Sequence, residues 1–202
     1  MATLYIVRHG NTFDEGETVR RVGARTDLPL SSSGETQAAA LGAYFKSRSI
    51  AFDRAYCSPL QRTRQTADII MARTESVATV ACEAFLTEID YGPDENQPED
   101  IVTKRLGESA LRRWDEEAVP PEGWRVDPAD LRARWRAFFD QFSDPAGEQY
   151  ILAGTSHGVA RFALDAAKPA GAFPRKLRTG AFGCVRINDA EPLIEHWDVR
   201  PA

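Results

Sequence analysis

Cysteine is scarce. Three occur in 202 residues, and no two of them stand in a CxxC spacing. This rules out a disulfide framework and a cysteine-rich structural zinc site. Cys57, Cys82 and Cys184 each lie in or beside an apolar run, so buried free thiols in a reducing compartment are expected. Long apolar runs are missing as well: none approaches the roughly 20 residues that a helix needs to span a bilayer. The first apolar strand begins at residue 4, which leaves no room for a secretory leader. Positive charge is not in excess either. A formal net charge of −5 argues against nucleic acid or an anionic membrane as partner. A cytoplasmic protein is expected, and a local basic pocket remains compatible with these totals. No internal repeat, low-complexity tract or inter-domain linker interrupts the chain, so residues 1–202 read as one domain.

What is present is an alternation of short apolar runs with helical patterns, which predicts an α/β layered fold with a mainly parallel sheet. The first strand is 4–7, and a helix over 33–48 follows, with Ser32 and Glu35 at capping-box spacing and Ala38, Leu41 and Phe45 on its buried face. In "RAYCSPLQRTRQTADIIM", Arg54 to Cys57 reads as a strand, Ser58 as an N-cap and Pro59 as the first residue of a helix running to Ala72. A third strand fits 78–82. An amphipathic helix over 128–142 carries Leu131, Trp135, Phe138 and Phe142 on one stripe, a core pattern. A strand over 150–153 leads through a small-residue turn to Ser156-His157-Gly158 and a further helix, and strands at 182–188 and 192–197 close the chain.

The segment between the third strand and that amphipathic helix is of different composition. It is rich in acids and carries Pro93, Pro98, Pro120, Pro121 and Pro128. A helix is expected over 98–114, then an irregular connection through "AVPPEGWRVDP", since adjacent prolines cannot continue a helix. Residues 88–128 therefore read as an insertion covering one end of the sheet. Trp114, Trp124 and Trp135 suit either the core or a homodimer contact.

Two of the three histidines occupy equivalent places. In "LYIVRHGNT" the pair Arg8-His9 ends the first strand, and in "AGTSHGVAR" His157 closely follows a later one; each histidine precedes a glycine. In open parallel sheets, ligands collect at the carboxyl ends of the strands. Arg62 stands one turn into the helix after the strand ending at Cys57. Three separated segments thus bring Arg8, His9, Arg62 and His157 to one edge of the sheet. Guanidinium groups gathered there call for an anion, and phosphate matches their planar fork bidentately. His196, in the last strand, is given no role.

The blocks "LYIVRHGNT", "TDLPLSSSGETQA", "YCSPLQRTRQTA", "LTEIDYG" and "AGTSHGVAR", in this order, resemble the histidine phosphatase superfamily, also called phosphoglycerate mutase-like. The likeness spans nearly the whole chain except roughly 97–148. It implies a three-layer α/β/α sandwich with the insertion as a lid over the carboxyl edge of the strands. It implies that His9 is the nucleophile, that Arg8, Arg62 and His157 bind the phosphoryl oxygens, and that Glu88 is the proton donor, its apolar flanks Leu86 and Ile89 desolvating it as suits a general acid. Asn11 and Thr12 offer donors to the phosphoryl group, or Asn11 merely forms the turn. Arg25 stands near the pocket mouth or in a surface salt bridge to Asp27 or a neighbour, and Tyr91 near the entrance.

Two departures from the family stand out. Where many members carry a phosphate-binding asparagine, this chain reads "FDEGETVRR"; Asp14, Glu15 and Glu17 must turn outward, or Arg20 and Arg21 take over the contact. After the acid the chain reads "YGPDENQPED", which sets Tyr91, Asp94, Glu95 and Asn96 near the entrance, either for a substrate with hydrogen-bond donors or a positive group or as a solvated acidic loop. The implied activity is a phosphomonoesterase acting through a phosphohistidine on a small phosphorylated metabolite, with neither metal nor cofactor. The alternatives are phosphoglycerate mutase-type transfer, favoured less because such mutases are generally longer, and an inactive phospholigand-binding module.

Overall fold

The computed structural model describes residues 1–144, 147–188 and 191–201. Alternation of side chains organises it. In strand β1 (Ala2–Arg8), Leu4 and Ile6 point into one apolar cluster while Tyr5 and Val7 point into another on the opposite face. Leu152 in β4 (Gln149–Thr155) joins Tyr5 and Val7, and its neighbours Ile151 and Ala153 join Leu4 and Ile6. A strand buried on both faces needs apolar residues throughout, which explains the unbroken "LYIV" and "YILA" runs.

The sheet has seven strands in the order β3-β2-β4-β1-β6-β7-β5, completed by β2 (Arg54–Cys57), β3 (Val80–Cys82), β5 (Lys168–Pro169), β6 (Phe182–Ile187) and β7 (Leu193–Val199). β1, β2, β3 and β4 run parallel, while β6 is antiparallel to both of its neighbours. Helices α1 (Ser32–Ser47) and α2 (Gln61–Thr74) cover one face through Leu41, Phe45, Ala67 and Ile70. Helix α5 (Pro128–Asp140) and the short α6 (His157–Ala160) cover the other, with Trp135, Phe138, Phe139 and Phe142 in the core. The three-layer sandwich is the expected one. Among the described residues no helix is long and apolar enough to cross a membrane.

Several local expectations need correction. The α1 cap is Ser31, whose side chain accepts from Gly34 N, because the carboxylate of Asp14 takes the N–H groups of Ser32 and Ser33. Helix α2 begins at Gln61 rather than Pro59, since the Ser58 hydroxyl is spent on Thr63 Oγ1 and Leu60 N. The expected helix 98–114 is two helices, α3 (Glu99–Leu106) and α4 (Glu108–Glu117), broken at Gly107, where φ is +79°. Helix α5 starts at Pro128, capped by Asp127, and ends at Asp140, two residues short of Phe142. After His157 the helix lasts one turn and continues as a 3-10 segment, Arg161–Asp165. Cys82 is exposed, not buried, because β3 is a three-residue edge strand. Trp114, Trp124 and Trp135 all belong to the core, so none is free for a dimer contact.

Candidate active site

Adjacent carboxyl ends of β1 and β4 build the floor of a cleft of about 340 Å³. His9 follows β1 directly and is tied to the neighbouring strand by its N–H, which donates to Thr155 O at 3.1 Å. Its ring Nδ1 lies 2.7 Å from Gly10 O. A carbonyl can only accept, so Nδ1 carries the ring proton and Nε2 keeps its lone pair. That lone pair faces Arg62, whose Nε donates to it at 3.2 Å. Burial, then the charges of Arg62 and Arg8, hold His9 well below the ordinary histidine range. The imidazole is neutral near pH 7, which is the nucleophilic form.

Arg62 is fully buried. Its Nη1 donates to Thr26 O at 2.8 Å and its Nη2 to Gly23 O at 3.2 Å, so two loop carbonyls orient the guanidinium against the imidazole. Arg8 lines the cleft; its Nη1 donates to Leu177 O at 2.8 Å while its Nε is buried without a partner. Burial lowers both arginines from their ordinary values, opposed by the charge of Glu88. Glu88 is buried and lines the same cleft. Its Oε1 accepts from Ile89 N at 2.9 Å and its Oε2 from Gly158 N at 3.2 Å.

His157 lines the same cleft. Leu177 N donates to its Nδ1 at 3.3 Å, and the guanidinium of Arg161 lies against its Nε2. A neutral imidazole accepts at one nitrogen only, so this ring cannot satisfy both donors at once. Burial first, then Arg161 and Arg8, hold His157 well below the ordinary range. Arg161 is itself fully buried, 4.0 Å over the Trp114 ring, and donates to Trp114 O. It links the histidine to α4. Sequence reasoning missed Arg161, although it stands four residues after His157, one helical turn on, in the quoted "AGTSHGVAR" block.

The structure thus brings Arg8, His9, Glu88 and His157 to one cleft, with Arg62 directly behind His9. Asn11, Thr12 and Tyr91 line it too. Asn11 is also a structural tie: its Nδ2 donates to Ser33 Oγ at 3.1 Å and its Oδ1 accepts from Thr179 Oγ1 at 2.6 Å. Burial raises the Tyr91 phenol above its usual range. Arg25 is not in the cleft. It is exposed and pairs with Asp90 at 3.1 Å, the salt-bridge alternative with a different partner from Asp27. Asp27 accepts instead from Gln61 N at 2.7 Å.

Asp94, Glu95 and Asn96, expected near the entrance, act as braces and do not line the cleft. Asp94 is buried and accepts from Arg105 and from Trp124 Nε1. Glu95 accepts from Gly23 N, Arg25 N, Thr26 Oγ1 and Tyr91 N, tying the loop before α1 to the insertion. Asn96 N donates to Arg21 O at 2.8 Å. Asp14 turns outward to α1, where the hydroxyl and N–H of Ser33 hold its carboxyl down at about 2. Glu17 accepts from Asp14 N. Arg20, Arg21 and Glu99 do line the cleft mouth.

Residues 4–200 match the profile of the histidine phosphatase superfamily (branch 1). A 2,3-bisphosphoglycerate-dependent phosphoglycerate mutase of Azorhizobium caulinodans is 29% identical over 97% of each chain. A probable phosphoglycerate mutase GpmB of Klebsiella pneumoniae is 32% identical over 79% of this chain and 71% of its own. Among solved structures, a mycobacterial glucosyl-3-phosphoglycerate phosphatase shares the fold at a TM-score of 0.77 and 19% identity, covering 98% of this chain and 99% of its own. A phosphoglycerate mutase from Bacillus anthracis does so at 0.78 and 22%, covering 98% and 92%.

Proposed function

This chain belongs to the histidine phosphatase superfamily, and from that premise we propose that it is a phosphomonoesterase that passes the phosphoryl group of a small phosphorylated metabolite through His9 to water. One observation carries the proposal: Nδ1 of His9 is committed to Gly10 O, which leaves Nε2 as the buried lone pair at the foot of a cleft lined by Arg8. In the first step Nε2 bonds to phosphorus while the bond to the ester oxygen breaks in line. Arg62 Nε then loses its acceptor and turns its N–H to a phosphoryl oxygen. Arg8 offsets the remaining charge, and His157 offers its ring N–H to a phosphoryl oxygen. The departing alkoxide takes a proton from Glu88. Water, deprotonated by the same carboxylate, attacks phosphorus in the second step and releases inorganic phosphate, which restores the free imidazole.

The insertion 88–128 acts as a lid, supported by Glu88, Tyr91 and Glu99 lining the cleft and by Trp114 and Trp124 anchoring in the core. A cleft of about 340 Å³ suits a metabolite rather than a phosphoprotein loop. Phosphate release from a panel of phosphorylated metabolites tests the activity, with His9→Ala in parallel. Loss of at least about 10³-fold in that variant is expected, by comparison with other nucleophile deletions. A phosphohistidine that persists at alkaline quench and vanishes in acid is expected in wild type alone. Equal turnover by both proteins would remove the proposal. The mutase reading is favoured by the names of the relatives; it predicts that transfer between two glycerate phosphates outruns release of inorganic phosphate.

A further inference from the structure

The mouth of the cleft is built by two segments that meet as a short ladder. Arg21 N donates to Gln97 O at 2.8 Å, Asn96 N to Arg21 O at 2.8 Å, and Glu99 N to Val19 O at 3.1 Å. Across this ladder the side chains of Arg21 and Glu99 form an ion pair at 2.5 Å, and both line the cleft. Arg21 is further fixed by aromatic rings, its Cζ lying 5.3 Å from the centroid of Tyr91 and 5.2 Å from that of Trp124. Phe13, Val19 and Val22 complete the mouth with apolar surface. Arg20 is exposed and gives its Nη1 to Asn96 O.

This outer half differs in charge from the floor. The floor holds Arg8, with Arg62 behind, and is cationic. At the mouth the cation best placed to hold a second anion, Arg21, is already neutralised by Glu99. A substrate carboxylate or second phosphate reaching Arg21 must stand beside the Glu99 carboxylate, and like charges in contact are strongly unfavourable. The exposed Arg20 offers little in return, since a solvated surface charge contributes weakly. Glu99, meanwhile, is held in place with an acceptor oxygen beyond the one given to Arg21, suited to a hydroxyl or ammonium donor.

We infer that Glu99 is a specificity residue: held by Arg21, it selects phosphomonoesters whose alcohol part is uncharged or cationic and carries a hydrogen-bond donor, and it rejects those with a second anionic group. This rests on the phosphomonoester-binding reading of the same cleft. The test compares two three-carbon ligands, glycerol 3-phosphate and 3-phosphoglycerate, which differ in a hydroxymethyl against a carboxylate. Dissociation constants by calorimetry on His9→Ala protein make the result independent of turnover. Tighter binding of glycerol 3-phosphate, by about tenfold, is expected. Adding Glu99→Gln, which is isosteric, should remove most of that preference, whereas adding Arg21→Met should keep or increase it, because the carboxylate then stands unneutralised. Tighter binding of 3-phosphoglycerate, a ratio unmoved by Glu99→Gln, or binding of neither ligand would each overturn the inference. Failure of the enzymatic reading shows separately, as absence of phosphate release and of phosphohistidine in wild type.

Discussion

His9-Gly10 and His157-Gly158 follow strands that lie side by side in the sheet, in register from Ala2 opposite Gln149 to Arg8 opposite Thr155. The spelling is the same and the surroundings are not. A Cβ on Gly10 would come within 2.2 Å of Gly34 O, so the first glycine lets a loop pass the backbone at the start of α1. A Cβ on Gly158 would come within 2.2 Å of Glu88 Oε1, so the second lets a carboxyl side chain sit against the turn. The imidazoles differ likewise. His9 has one nitrogen committed to a carbonyl and the other left as an acceptor. His157 has a donor against each nitrogen. The first ring has its tautomer fixed for attack. The second gains most by accepting from one donor and offering its own proton elsewhere, which suits a group that meets an incoming oxyanion.

Exchanging each glycine for alanine breaks the comparison most sharply. Gly158→Ala pushes Glu88 aside by rotating a side chain, which the fold tolerates. Phosphate release should fall about 10²-fold, as displaced catalytic groups do, with little change in Tm. Gly10→Ala meets backbone that cannot yield, so the loss should appear as instability, about 1–3 kcal/mol for an overpacked site, read by denaturant unfolding. Full activity in Gly158→Ala would show that the seat of Glu88 does not matter.

Arg161→Met tests the difference between the two rings. Next to burial, this guanidinium is the largest influence holding His157 low. Its removal should raise the His157 titration toward the ordinary value while leaving that of His9 in place, resolved by NMR of the ring protons. The rate should fall about tenfold, less than the 10²–10³ expected when a donor on the phosphoryl group is lost.

The smallest effect is on stability against pH. Both histidines titrate lower in the folded protein than in the unfolded chain. The unfolded state therefore binds more protons below about pH 6.5, and stability should decline as pH falls through that value toward the folded pKa values. Replacing His157 or His9 by glutamine should each flatten that decline in urea titrations between pH 7 and pH 5. An unchanged slope in both variants would mean that neither ring is held neutral by the fold.

Chain order alone dictates the alternating strands, the helices on either side and the two histidines at strand ends, because apolar periodicity and strand-end position are local properties. The "LYIV" and "YILA" runs have no use outside a sheet covered on both faces. The position of Arg62, one turn after the strand ending at Cys57, put it at the same sheet edge, but nothing local says that its partners are carbonyls 36 and 39 residues away. The corrections that involve polar side chains share one cause. Ser31 replaced Ser32 as cap because Asp14 arrived from another segment, and Arg25 is held outside the cleft by its pair with Asp90. Asp94 and Glu95 became braces for the same reason. Arg161 and the Arg21–Glu99 pair also depended on partners brought from elsewhere in the chain. Buried polar groups take whatever complementary atom packing brings within reach, and that choice is made in three dimensions, where sequence distance carries no weight.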